Sequence, residues 1–131
     1  MLIKLRKGDE VNVLAPSSFI DKEEDFIKGL DILKTWGLKI VYNNNLLKKF
    51  GYFAGDDLTR FKELEKAQNS KLIIFAKGGW GAARLLEKNP TWGNGLMIGF
   101  SDTCSLLLSK YSQGYFGSIH GPMRTTLYKE P

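Results

Sequence analysis

The stretch Gly99-Phe100-Ser101-Asp102-Thr103 is the strongest candidate for chemistry in this chain. It puts a serine between an apolar run, Leu96 to Phe100, and a leucine-rich stretch with Leu106, Leu107 and Leu108. A glycine two residues before a serine at a strand-to-helix junction is most of a nucleophile elbow. A sharp turn exposes the hydroxyl there, while the next backbone N–H and the helix amino terminus face any oxyanion that develops. The usual second glycine is replaced by Thr103. A plainer reading makes Ser101 or Asp102 the cap of the following helix. The two readings differ in backbone: an elbow serine takes positive φ at the mouth of a cleft, a cap keeps extended dihedrals.

Other candidates also follow apolar runs. The loop Lys77-Gly78-Gly79-Trp80-Gly81 has three glycines, so a backbone can approach a ligand closely. It suits an N–H donor to an oxyanion, a phosphate cradle, or simply a tight turn. The dinucleotide fingerprint fails because Arg84 stands where a small residue is needed, and no Walker lysine follows. His120, in His120-Gly121-Pro122, is the single histidine and so the sole in-chain imidazole base; a structural hydrogen-bonding role suits it equally. Pro16-Ser17-Ser18 closes another run. Trp36 reads as core, whereas Trp80 and Trp92 fall in loops, and of the three Trp80 has the claim to a site. No His and Cys cluster has metal-ligand spacing, so neither metal nor cofactor is expected.

The elements that would position these residues alternate regularly. Val11 to Ala15, Leu38 to Tyr42, Lys71 to Ala76, Leu96 to Phe100 and Tyr115 to Ile119 read as strands. Between them lie a helix from Asp21 to Trp36 with Phe26, Ile27, Leu30 and Leu33 at helical spacing, and one capped by Asp56 with Leu58, Phe61, Leu64 and Ala67 as its stripe. A short helix through Leu86 and another from Asp102 to Ser112 complete the set. Strands that are continuous apolar runs, alternating with helices, imply an α/β fold: an open, mainly parallel sheet with helices on both faces, of the flavodoxin-like or class I glutamine amidotransferase-like kind. Ligands of such sheets bind at the carboxyl ends of the strands, where the candidates fall.

Composition narrows the field. With 131 residues, 43% of them hydrophobic, one domain with one core is expected. The net charge of +5 comes from 19 basic against 14 acidic residues, scattered and not gathered in a stripe, so nucleic acid is not an expected partner. Cys104 is the single cysteine, which forbids a disulfide framework and favours a reducing cytoplasmic setting. No apolar run approaches the roughly 20 residues a membrane span requires, and no signal peptide is recognisable.

Five blocks in order are similar to the amino-terminal domain of the LD-carboxypeptidases, the muramoyltetrapeptide carboxypeptidases and microcin self-immunity peptidases. They are Leu5 to Asp9 leading into Val13 to Ser18, Gly51 to Arg60, Ala76 to Leu86, Ile98 to Thr103, and His120 to Met123. Departures are mild: Lys77 for arginine, Trp80 for tyrosine, Cys104 for a small apolar residue. The resemblance implies that Ser101 is the nucleophile, that the backbone N–H groups of Asp102 and Gly79 form the oxyanion hole, and that Gly78 and Trp80 touch substrate, with His120 and Ser17 in supporting roles. It implies a serine carboxypeptidase that removes the terminal D-alanine from murein tetrapeptides in cell-wall recycling, without a cofactor. Its triad Glu and His would come from a carboxyl-terminal domain. Residues 1–122 would then be the nucleophile-bearing domain and 123–131 the start of a linker. This chain alone should be inactive and should expose an apolar docking face, and a homodimer is compatible with it. The rival expectation is a one-domain module binding an anion or small ligand, with Ser101 as a helix cap.

Overall fold

The central strands are short runs whose alternate side chains enter opposite core layers. The computed structural model describes residues 5–17, 20, 23–42, 56–76 and 81–121. In chain order the elements are β1 (Glu10–Leu14), α1 (Glu23–Thr35), β2 (Lys39–Val41), α2 (Asp57–Lys66), β3 (Leu72–Phe75), α3 (Ala82–Leu86), β4 (Leu96–Gly99), α4 (Cys104–Ser112) and β5 (Ser118–His120), with 3₁₀ turns at Ala67–Asn69 and Ser101–Thr103. The sheet order is β2-β1-β3-β4-β5, and every pairing is parallel. The expected open parallel sheet is therefore found, with the flavodoxin-like strand order.

Val11 and Val13 of β1 and Leu72 and Ile74 of β3 meet Phe26, Leu30 and Leu33 of α1 on one face. On the other, Leu14, Ile73, Phe75 and Met97 pack against Leu64, Leu85, Leu106 and Leu107 from the other three helices. Burying a side chain such as Phe75 or Met97 contributes about 1.5–3 kcal/mol over leaving it exposed. The polar loop 90–95 is fixed by long polar side chains. Gln68 accepts from the Gly93 N–H, Glu65 from the Thr91 N–H, and the buried Lys110 ammonium donates to the Gly95 carbonyl.

Some expectations fail for identifiable reasons. Trp36 is 57% exposed, because α1 ends at Thr35 and the chain turns away before the indole reaches the core; Trp92, in a loop, is 3% exposed and joins the second core layer. Leu58 lies outside the α2 stripe, exposed, while Arg60 takes the buried place. The helix expected from Asp102 begins as a 3₁₀ turn, and the last strand is shifted to Ser118–His120. Among the described residues, no helix is long and apolar enough to cross a membrane.

Candidate functional site

Ser101 lies immediately beyond β4, exposed, with φ of 57°. A left-handed non-glycine residue at a strand-to-helix junction is strained, at roughly 1–2 kcal/mol. Its neighbours hold it there. The Thr103 hydroxyl accepts from the Phe100 N–H and donates to the Phe100 carbonyl, both at 2.7 Å. Thr103 is fully buried over Gly99, where an added Cβ would stand 2.5 Å from its Oγ1 and 2.9 Å from the Phe75 ring. Thr103 thus closes the turn that a second glycine closes elsewhere, and Gly99 makes room for it. The positive φ is what the elbow reading expects. A cap at Ser101 expects extended dihedrals, which this residue does not have; among the described residues its hydroxyl has no hydrogen-bond partner, and Thr103 makes the side-chain bonds of the turn.

The other strand ends converge on the same place. Ser17, after β1, is fully buried, and its hydroxyl donates to the Asp102 carboxylate at 2.7 Å. The same carboxylate oxygen accepts the Ala82 N–H at 2.9 Å. The carboxyl edges of β1, β3 and β4 are therefore tied through one side chain. Lys77, Gly78, Gly79 and Trp80 lie outside the described residues; the loop is seen from its last residue, Gly81, at φ 111°. His120, in edge strand β5, is exposed and stacks on the Phe100 ring, with centroids 4.9 Å apart, and has no hydrogen bond to Ser101. A surface groove of about 390 Å³, lined by Cys104, Leu107, Leu108, Tyr111, Ser118 and His120, runs along α4.

Sequence reasoning assigned no role to the ionic cluster behind these loops. The Arg60 guanidinium, its side chain fully buried, donates to the Pro16 carbonyl, to the Gly81 carbonyl at 3.0 Å, and to the Asp57 carboxylate. Asp57 also receives Arg84 of α3 at 2.7–3.0 Å. The Arg84 hydrogen bonds, helped by the attraction of Arg60, hold the Asp57 carboxyl below its ordinary range against the opposing effect of burial. Burial pushes Arg60 down, with Asp57 opposing, and Asp57 raises Arg84. The available signal was spacing: Arg60, Leu64 and Ala67 share one helical face, so the arginine had to be buried with a partner.

Together these features define an α/β domain with a polar strand-end site at the point where strand order reverses between β1 and β3. The chain belongs to the LD-carboxypeptidase family: residues 11–121 match the model of its N-terminal domain. A Synechocystis protein named provisionally as a carboxypeptidase is 36% identical over 98% of this chain and 44% of its own length. A Bacillus subtilis protein named provisionally as a murein peptide carboxypeptidase is 30% identical over 93% of this chain and 40% of its own. The microcin C7 self immunity protein MccF has the same fold, with a TM-score of 0.87 at 23% identity over 97% of this chain and 41% of that one. The muramoyltetrapeptide carboxypeptidase of Oxalobacter formigenes superposes with a TM-score of 0.72 at 21% identity, over 88% and 40%. The chain thus spans 40–44% of the length of the curated relatives it matches.

Proposed function

We propose that this chain is the nucleophile-bearing amino-terminal domain of a serine-type LD-carboxypeptidase, which releases the terminal D-alanine of murein tetrapeptides in the cytoplasm during cell-wall recycling. The observation that carries the reading is Ser101: exposed, left-handed, and locked by Gly99 and Thr103 at the carboxyl edge of a parallel sheet. Family membership supports the peptidase class, and the name of the Bacillus subtilis relative supports the substrate class.

In this reading the Ser101 hydroxyl attacks the carbonyl that precedes D-alanine. Its proton passes to a histidine base, the negative oxygen is held by the N–H groups of Asp102 and Gly79, and D-alanine leaves with a proton from that histidine. Water then cleaves the acyl ester and regenerates the serine. Gly78 and Trp80 line the substrate side. The histidine and its glutamate come from a second domain like the parts of the relatives that this chain does not span. Residues 1–122 form the first domain and 123–131 lead to the second. The exposed Leu108, Tyr111 and Phe116, at 67%, 65% and 75%, support a covering partner.

The test is to join this chain to the carboxyl-terminal remainder of the Synechocystis relative and to assay D-alanine release from a murein tetrapeptide. The joined protein should be active, the 131-residue chain alone inactive, and Ser101→Ala in the joined protein should lower kcat by about 10⁴-fold or more. Release that Ser101→Ala leaves intact would refute the assignment.

A further inference from the structure

One peptide unit in the site is held from both ends. The carbonyl of Gly81 accepts a hydrogen bond from Arg60 at 3.0 Å, and the N–H of the same peptide, that of Ala82, donates to the Asp102 carboxylate at 2.9 Å. A cation grips the oxygen and an anion grips the N–H, so turning this peptide over would set each dipole against its partner. Gly81, at φ 111°, has a backbone freedom that other residues lack, which makes it the point at which the loop would otherwise rotate.

We propose that Arg60 and Asp102 clamp the Gly81–Ala82 peptide and thereby fix the exit of the glycine loop against the Ser101 turn, so that both are positioning residues for the oxyanion donors of that loop. The consequence for donors rests on the LD-carboxypeptidase reading; the clamp itself does not. Each jaw is anchored independently. Arg60 is buried, paired with Asp57, and also holds the Pro16 carbonyl, while Asp102 begins the segment that follows Ser101 and is steadied by the buried Ser17 hydroxyl. The loops after β1, β3 and β4 are thus referenced to one another through two side chains, one of each charge. The Ala82 N–H is among the first of α3 and has no acceptor in its own helix, so Asp102 also satisfies a group that would be left unpaired. In a site whose donors must lie within about 0.5 Å of the developing oxyanion, a free peptide at the loop exit would misplace them.

The experiment follows backbone amide exchange at Ala82 in the 131-residue chain, with the β3 amides of Ile73 and Ile74 as internal reference. Asp102→Ala should speed Ala82 exchange roughly 10- to 100-fold, the loss expected for a hydrogen bond to a charged group, and leave the β3 amides within about threefold. Asp102→Asn keeps an acceptor oxygen and should recover most of the protection. Arg60→Lys, which cannot reach two carbonyls and a carboxylate in one plane, should loosen Ala82 with little recovery. In the joined protein Asp102→Ala should lower kcat about 10- to 100-fold with KM changed less than about threefold, and Asp102→Asn should restore most of it. Unchanged Ala82 protection in Asp102→Ala, equal loosening of β3, or loosened Ala82 with wild-type kcat would each overturn the proposal. A joined wild-type protein that releases no D-alanine would count against the peptidase reading, and the exchange measurements would still decide the clamp.

Discussion

Ser17 and Ser101 each follow a strand of the same sheet at its carboxyl edge, yet they have opposite surroundings. Ser17 is fully buried and spends its hydroxyl on the Asp102 carboxylate. Ser101 is exposed, sits at φ 57°, and has a hydroxyl with no partner among the described residues. A buried hydroxyl with a partner stabilises the fold; a solvent-facing one on a strained backbone costs stability through that backbone and is kept where reactivity is needed. Residue type and position alike, the distinction lies in what each neighbour does with the backbone.

The largest expected effect removes the buried cation behind the site. Arg60→Met should cost about 2–4 kcal/mol of unfolding free energy in a denaturant titration, because the buried Pro16 carbonyl loses its donor, while the Gly81 carbonyl keeps the Arg84 N–H and Asp57 keeps the Arg84 guanidinium. A loss under about 1 kcal/mol would mean the cluster is no brace. Next, Gly99→Ala should cost about 1–3 kcal/mol, since the new Cβ meets Thr103 and Phe75 at less than van der Waals distance. If it is neutral, the Thr103 lock on Ser101 is looser than drawn.

The serines themselves should respond with opposite signs. Ser17→Ala should destabilise by about 1–2 kcal/mol, as the Asp102 carboxylate loses a buried donor. Ser101→Gly should stabilise by about 0.5–1 kcal/mol, because glycine occupies the left-handed region without strain and this relief exceeds the entropy it gives up. Two changes of the same sign would break the comparison.

The smallest effect concerns pH. The Asp57 carboxyl is held below its ordinary value of 3.8, so its contribution is fully present above that pH and is lost as pH falls through the lowered folded value. The stability gap between the wild type and Asp57→Asn should therefore be constant from about pH 7 to 5 and shrink below about pH 4. A gap that persists unchanged on the acid side would show that Asp57 holds Arg60 and Arg84 by geometry and not by charge.

The sheet was legible because its strands are unbroken apolar runs such as Leu72–Phe75, and such runs between helices leave few alternatives. The sharp turn at Ser101 was one of two readings that the glycine two residues before it left open, and its positive φ is what the elbow reading expects. Arg60 was not legible, since an arginine on a surface helix normally faces water, and Leu58 made a plausible stripe without it. The side chain of Asp102 was missed for a related reason: its partners Ser17 and Ala82 are 85 and 20 residues away in sequence, and local spacing carries no trace of such a contact. Trp36 and Trp92 exchanged roles because burial was decided by where the chain turns after α1 and by the tethering of loop 90–95 to α2 and α4.

The central claim, that Ser101 is the nucleophile, is tested most directly by trapping it. The joined protein would be treated with a fluorophosphonate, digested with trypsin, and the adduct located by fragmentation. The segment between Lys88 and Lys110 also carries Ser105 and Ser109, so it holds its own controls. The adduct is predicted on Ser101, and its formation should be prevented by a murein tetrapeptide in excess. Modification of Ser17, Ser105 or Ser109 in place of Ser101, or complete loss of D-alanine release with Ser101 still unlabelled, would contradict the account.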